Sequence, residues 1–140
     1  MQVMQQVGAL PYRFNPDGAV EVLLITSRGT GRWIIPKGNP IQGLKAHQVA
    51  AREAFEEAGI NGKPSKKPIG KFYYSKQRAG RPEIDIEVMV FPLLITEQLQ
   101  DWPERRQRKR RWLNPIAASH LAEDAGLKRI LQIFHLTVET

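Results

Sequence analysis

The chain has 140 residues, 41% of them hydrophobic and 25% charged, which suits one domain with a real core and is too short for two ordinary ones. A formal net charge of +7 and a pI near 10.0 favour anionic partners (phosphate-rich small molecules, nucleic acid or an acidic membrane surface) as readily as they favour plain solubility. There is no cysteine, which excludes disulfides, thiolate metal sites and cysteine nucleophiles.

"MQVMQQVGALPYRF" lacks the basic start and apolar centre of a signal peptide, and no apolar run approaches the roughly 20 residues of a membrane span. A single domain over residues 1–140, in the cytoplasm, is the expectation. "QVMQQVGALPYRF" and "AVEVLLITSR" read as strands parted by the turn signal "NPDG". After "RGTG", "WIIP" reads as a third strand that ends at a proline. Residues 44–58 place Leu44, Ala46, Val49, Ala50, Ala54, Phe55 and Ala58 at helical intervals, and Gly59 supplies a left-handed stop. "NGKPSKKP" reads as a polar loop. "IGKFYYSK" and "EIDIEVMVFPLLIT" read as two further strands, the second alternating Ile84, Ile86 and Val88 with Glu83, Asp85 and Glu87. The basic "ERRQRKRRWLN" leads to Asn114 and Pro115, a helix start, and Gly126 interrupts before a last helix. The sum is an α+β domain with a mixed sheet and two or three helices.

The predicted central helix carries a conflict. Glu53 lies three residues before Glu56 and four before Glu57, so the three carboxylates can share one patch, where they repel. They also face the negative end of the helix dipole, at a cost of about a few tenths of a kcal/mol each. Local rules broken together mark a site. A hard divalent cation such as Mg²⁺ or Mn²⁺, which takes clustered oxygen ligands, resolves the conflict. The alternative is a solvated acidic face balanced by Arg52 and Lys45.

From Gly38 onward the stretch resembles the signature of the Nudix hydrolases: Gly38, Arg52, Glu53, Glu56, Glu57, Gly59 and Ile60 all fall in its register. The resemblance implies an α/β/α sandwich and a Mg²⁺-dependent (or Mn²⁺-dependent) pyrophosphohydrolase. It also implies Arg52, Glu53, Glu56 and Glu57 as catalytic residues. Glu53, Glu57 and the carbonyl of Gly38 would bind metal, with Glu56 as a further ligand, direct or through water. Two positions depart. Leu44 stands where the family has glutamate, which bears on the anchoring of Arg52, and Ala54 replaces a bulkier apolar residue. Cleaving a phosphoanhydride needs crowded negative charge neutralised and a water deprotonated. Glu56 is one candidate base; Glu83, Asp85 and Glu87 are others, unless they form the outward face of their strand.

Outside the signature, "VLLITSRGTGRWIIPKG" and "DWPERRQRKRRWL" look like the corresponding parts of diphosphoinositol polyphosphate phosphohydrolases, which also act on diadenosine polyphosphates. That likeness covers roughly residues 20 to 115 and implies that Ser27, Arg28 and Arg108 touch substrate phosphates. If residues 108–113 are extended, Arg108, Arg110 and Trp112 share one side and Lys109 and Arg111 the other. Lys37 either reaches a phosphate or stays in solvent. Gln5 and Gln6 occupy a strand that is basic in that family, which favours the less densely charged dinucleoside polyphosphates. Trp33 and Trp112 sit in apolar contexts and are expected to pack. Lys71, Lys76, Arg78 and Arg81 surround the mid-chain hairpin, either bordering a cleft or at a wet tip. The three histidines share no ligand spacing. The competing reading is a non-catalytic module of the same fold that holds nucleotide or RNA on its basic strip; the repelling acids argue against it.

Overall fold

The structure, a computed structural model, describes residues 3–138. Strands β1 (Val3–Phe14) and β2 (Val20–Thr26) form an antiparallel hairpin with Tyr12 opposite Val22. Its turn is closed by Asn15, whose Oδ1 accepts from the N–H groups of Asp17 and Ala19 at 3.0 Å each. β2 is flanked by β3 (Trp33–Ile34) and β8 (Arg110–Leu113), and β4 (Lys37–Gly38) pairs with β1. The long β7 (Arg81–Gln98) runs parallel to β1 from Val3 opposite Asp85 to Tyr12 opposite Leu94. On its other edge it pairs antiparallel with β6 (Gly70–Arg78) and then β5 (Ile60–Pro64). β1–β7 is the parallel pairing among the described strands, so the sheet is mixed.

Strand alternation sends side chains to two cores. Val7, Ala9, Leu23, Ile25, Phe91 and Leu93 pack on one face against helix α1 (Ala46–Ala58). Leu10, Val22, Leu24, Ile86, Val88 and Val90 pack on the other against α2 (Pro115–Leu121) and α3 (Ala125–Val138). The result is the expected α+β sandwich of a mixed sheet between helices. Ala50, Ala54 and Ala58 are fully buried on α1, so the small residue at 54 sits where the helix lies against the sheet.

Three local expectations need correction. Part of the supposed polar loop is strand β5: Ile60 is fully buried, and the second half of β7 offers an unpaired edge that outweighs the turn-rich composition. In "WIIP" only Trp33–Ile34 is strand, and the chain passes through Ile35 and Pro36, whose carbonyl accepts from Ala9 N–H at 2.9 Å, into the separate strand β4. The last helices break at residues 122–124, and Gly126 lies inside α3. Its place is explained by Phe72, whose Cβ would stand 2.5 Å from a Cβ at 126. Gly126→Ala should therefore destabilise despite alanine's better helix propensity, by about 1–2 kcal/mol, lowering Tm by roughly 3–6 °C. An unchanged or raised Tm would show that this contact yields freely.

Candidate active site

Helix α1 presents its acids toward β4, which pairing with β1 fixes in place (Gly38 opposite Val7). The Glu53 carboxyl lies against Gly38 so closely that a Cβ there would collide with it. Glu57 accepts from the Lys37 N–H at 3.3 Å and forms an ion pair with Arg108 Nη2 at 3.5 Å, both side chains nearly buried at 8% and 6% exposure. Glu53 and Glu57 hydrogen-bond to each other. Burial pushes the Glu57 carboxyl up to about 8, and Glu53 adds to the rise. Burial also raises Glu53, as do the charges of Glu56 and Glu104. Two carboxyls crowded around one proton, beside a backbone that a side chain would block, are the donor set of a hard cation, and Mg²⁺ or Mn²⁺ fits it.

The third acid, Glu56, acts on Glu53 through its charge and has a partner within its own helix. Glu56 pairs with Arg52 at 3.2 Å on the more exposed side of α1. Among the described residues no three acids close on one point. Leu44 cannot offer Arg52 the carboxylate of the family pattern; it lines a small cavity with Pro40, Val49 and Met89. Arg52 has Glu56 as its partner instead.

Beside Glu57 lies a cleft of about 510 Å³, lined by the cations Arg28, Arg32, Lys37, Lys76 and Arg108 and by Tyr74. Lys37 and Arg108 join it to the acids, since each touches Glu57 and faces the cleft. Ser27 is at the cleft, with its hydroxyl shaping the loop: it accepts from Arg32 N–H at 2.9 Å and meets the Thr30 hydroxyl at 2.8 Å. Arg28 reaches Gln107 Oε1 at 3.1 Å. Lys37 Nζ stands 5.0 Å from the centre of the Tyr74 ring, and burial lowers its pKa. The Tyr74 hydroxyl donates to Gln6 Oε1 at 2.8 Å, so that glutamine orients an aromatic wall. A second hollow of about 520 Å³ shares Ser27 and Arg108 and adds Trp33, Arg106 and Lys109.

The alternation expected beyond residue 107 is observed: Arg110 and Trp112 turn toward the core, while Lys109 and Arg111 are exposed. Trp33 and Trp112 are half-buried and packed, Trp112 beneath the Arg13 guanidinium at 4.1 Å. Of the hairpin cations Lys76 lines the cleft, whereas Lys71 pairs with Glu87 at 3.6 Å and Arg78 with the Pro82 carbonyl. The strand acids have partners of their own: Asp85 takes the Ser75 hydroxyl and Glu87 that of Tyr73. Glu83 is exposed.

Arg32, Tyr74 and Glu104 were not singled out in the sequence. Glu104 accepts from Arg108 Nε at 2.9 Å, and its charge helps to raise Glu53. Period-two alternation in "KFYYSK" does place Tyr74 and Lys76 on one side. No local signal marks Glu104, which stands just ahead of a basic run.

A family profile described as the NUDIX domain matches residues 4–134. Nudix hydrolase 17, mitochondrial, of Arabidopsis thaliana is 36% identical over 135 residues, covering 92% of this chain and 72% of that protein. Nudix hydrolase 21, chloroplastic, of the same plant is 32% identical over 133 residues, covering 93% of this chain and 65% of that protein. Diphosphoinositol polyphosphate phosphohydrolase 3-alpha of Mus musculus is 36% identical over 102 residues, covering 71% of this chain and 58% of that protein. The chain thus spans between 58% and 72% of the length of these three relatives. Among solved structures, the C. elegans Ap4A hydrolase binary complex superposes with a TM-score of 0.71 at 22% identity, covering 97% of this chain and 98% of that one, a likeness of fold.

Proposed function

The chain belongs to the Nudix family, and on that premise we propose that it is a metal-dependent pyrophosphohydrolase cleaving a phosphoanhydride bond in a dinucleoside polyphosphate or a diphosphoinositol polyphosphate. The observation that carries this reading is the buried Glu53–Glu57 pair over Gly38, linked through Lys37 and Arg108 to a cleft lined with cations. Glu53, Glu57 and the Gly38 carbonyl would hold Mg²⁺ or Mn²⁺. Bound there, the ion neutralises phosphate charge and lowers the pKa of water.

The chain's own groups do the rest. Arg28, Arg32, Lys76 and Arg108 hold the non-reacting phosphates, with arginine forks suited to pairs of oxygens. Water attacks one phosphorus, the bond to the bridging oxygen breaks, and the electron pair leaves with the departing phosphate. The water's proton passes to a carboxylate. Glu56 and Glu104 are the candidate acceptors, since the charge of each acts on Glu53. Behind Tyr74 the first strand adds no cation: the Gln6 amide is engaged by Tyr74 and Asn39. A dinucleoside polyphosphate misses cations there less than a fully phosphorylated inositol does.

The test is product identity from diadenosine tetraphosphate, a diphosphoinositol polyphosphate, ADP-ribose and nucleoside triphosphates, each with and without Mg²⁺. Mg²⁺-dependent cleavage of an anhydride in one of the first two is expected. RNA binding that weakens steeply with salt, with no turnover of any compound, would favour a binding module instead.

A further inference from the structure

Helix α1 ends in acids where its own carbonyls already gather negative charge, and its last turn contains no basic residue. All four of its terminal carbonyls nevertheless have donors. Phe55 O takes the Gly59 N–H at 3.1 Å, and Glu56 O takes the Glu104 N–H at 3.1 Å. Glu57 O takes the Trp102 indole N–H at 3.1 Å, and Ala58 O takes Arg110 Nη1 at 2.9 Å. The three donors from outside the helix come from one segment, residues 99–110. Arg110 closes that segment on itself: its Nη2 donates to Leu99 O at 2.6 Å, and its guanidinium lies 4.0 Å from the centre of the Trp102 ring. Gly59 has φ 66°, and a Cβ there would stand 2.6 Å from the Trp102 ring, so no side chain fits between helix end and clamp.

We infer that Trp102 and Arg110 are positioning residues for the metal carboxylates: their clamp on Glu57 O and Ala58 O sets where the last turn of α1 aims Glu53 and Glu57. The inference rests on reading those two acids as metal ligands. An ordinary helix end would leave these carbonyls to water. Here a cation is locked against the end of the helix that crowds its acids. The same segment carries Arg108, which pairs with Glu57, and Glu104, which pairs with Arg108 at 2.9 Å. One piece of chain therefore places the metal helix and the phosphate-facing arginine together. Outer groups of this kind tune metal sites without touching the ion.

Trp102→Phe keeps a ring beneath the guanidinium and removes only the donor to Glu57 O. Arg110→Lys keeps the charge and removes the fork that joins Ala58 O to Leu99 O. For both variants and the parent, Mn²⁺ affinity is read from the electron paramagnetic resonance of free Mn²⁺, together with Tm in the absence of metal and kcat and KM for diadenosine tetraphosphate. Each variant should raise the Mn²⁺ Kd about tenfold. At limiting Mn²⁺, kcat should fall while KM stays near the parent value, and excess Mn²⁺ should restore it. Lower Tm with parental Mn²⁺ affinity in both variants overturns the inference, leaving the clamp a purely structural cap. A parent that binds no Mn²⁺ overturns the metal reading and this one with it. A parent that binds Mn²⁺ and hydrolyses nothing defeats the enzyme reading alone, and the affinities still decide the clamp.

Discussion

Glu57→Gln should lower Mg²⁺-dependent phosphate release by roughly 10³-fold while the protein still folds. The loss follows from the position of Glu57, which meets Glu53 beside Gly38 and has Arg108 as its ion-pair partner. Glutamine preserves the shape and can still accept from the Lys37 N–H, but it brings no negative charge to a cation. Folding should survive because Arg108 keeps Glu104 Oε1 at 2.9 Å and the Thr26 carbonyl at 3.0 Å. Above pH 8 the variant should be the more stable of the two without metal, since it removes a buried carboxylate that has to ionise next to another. Phosphate release and thermal melts, run side by side, check both halves. Parental turnover in the variant would remove Glu57 from the proposed centre.

Metal affinity should depend strongly on pH, with the direction set by the same carboxyl. Burial, reinforced by Glu53, lifts Glu57 to about 8 in the folded protein, while an unfolded chain releases that proton near its ordinary value of 4.5. The folded state therefore holds a proton that the unfolded state has lost. The stability this contributes is complete below pH 4.5 and disappears as the pH climbs toward 8. Metal-free Tm should fall over that window. A divalent ion must displace the proton to bind, so the Mn²⁺ Kd should drop about tenfold per pH unit well below 8, roughly 50-fold in all from pH 6 to 8, and then level off. Isothermal titration calorimetry in buffers of different ionisation enthalpy also counts the released proton. A flat Kd between pH 6 and 8 would refute the assignment, and Glu57→Gln should abolish the slope.

Much of this molecule follows from local rules. The apolar run over residues 20–26, and the alternation over 83–88 that passes into an apolar run, dictate strands that feed two cores, because successive side chains must leave by opposite faces. The spacing of Val49, Ala50, Ala54 and Ala58 dictates the buried stripe of α1, and it carries Glu53 and Glu57 to one side. The register from Gly38 to Ile60 marks the acids as a site, and alternation beyond residue 107 correctly divides the arginines into inward and outward sets.

Partners supplied from elsewhere in the chain could not be read that way. Residues 60–64 became a strand because β7 is long enough to leave an edge open beside them. Glu56 pairs with Arg52, four residues back, where the chain offers no glutamate at 44 to do so. Glu104 and Arg32 reach the site from loops whose course depends on distant packing, and Tyr74 reaches it from β6, whose place is set by pairing with β7. The same holds for the crowding of acids at the end of α1. By local physics it is unfavourable, and the sequence alone identifies only the strain. Its relief comes from Trp102 and Arg110, more than forty residues away, and only the folded chain brings their donors to those carbonyls.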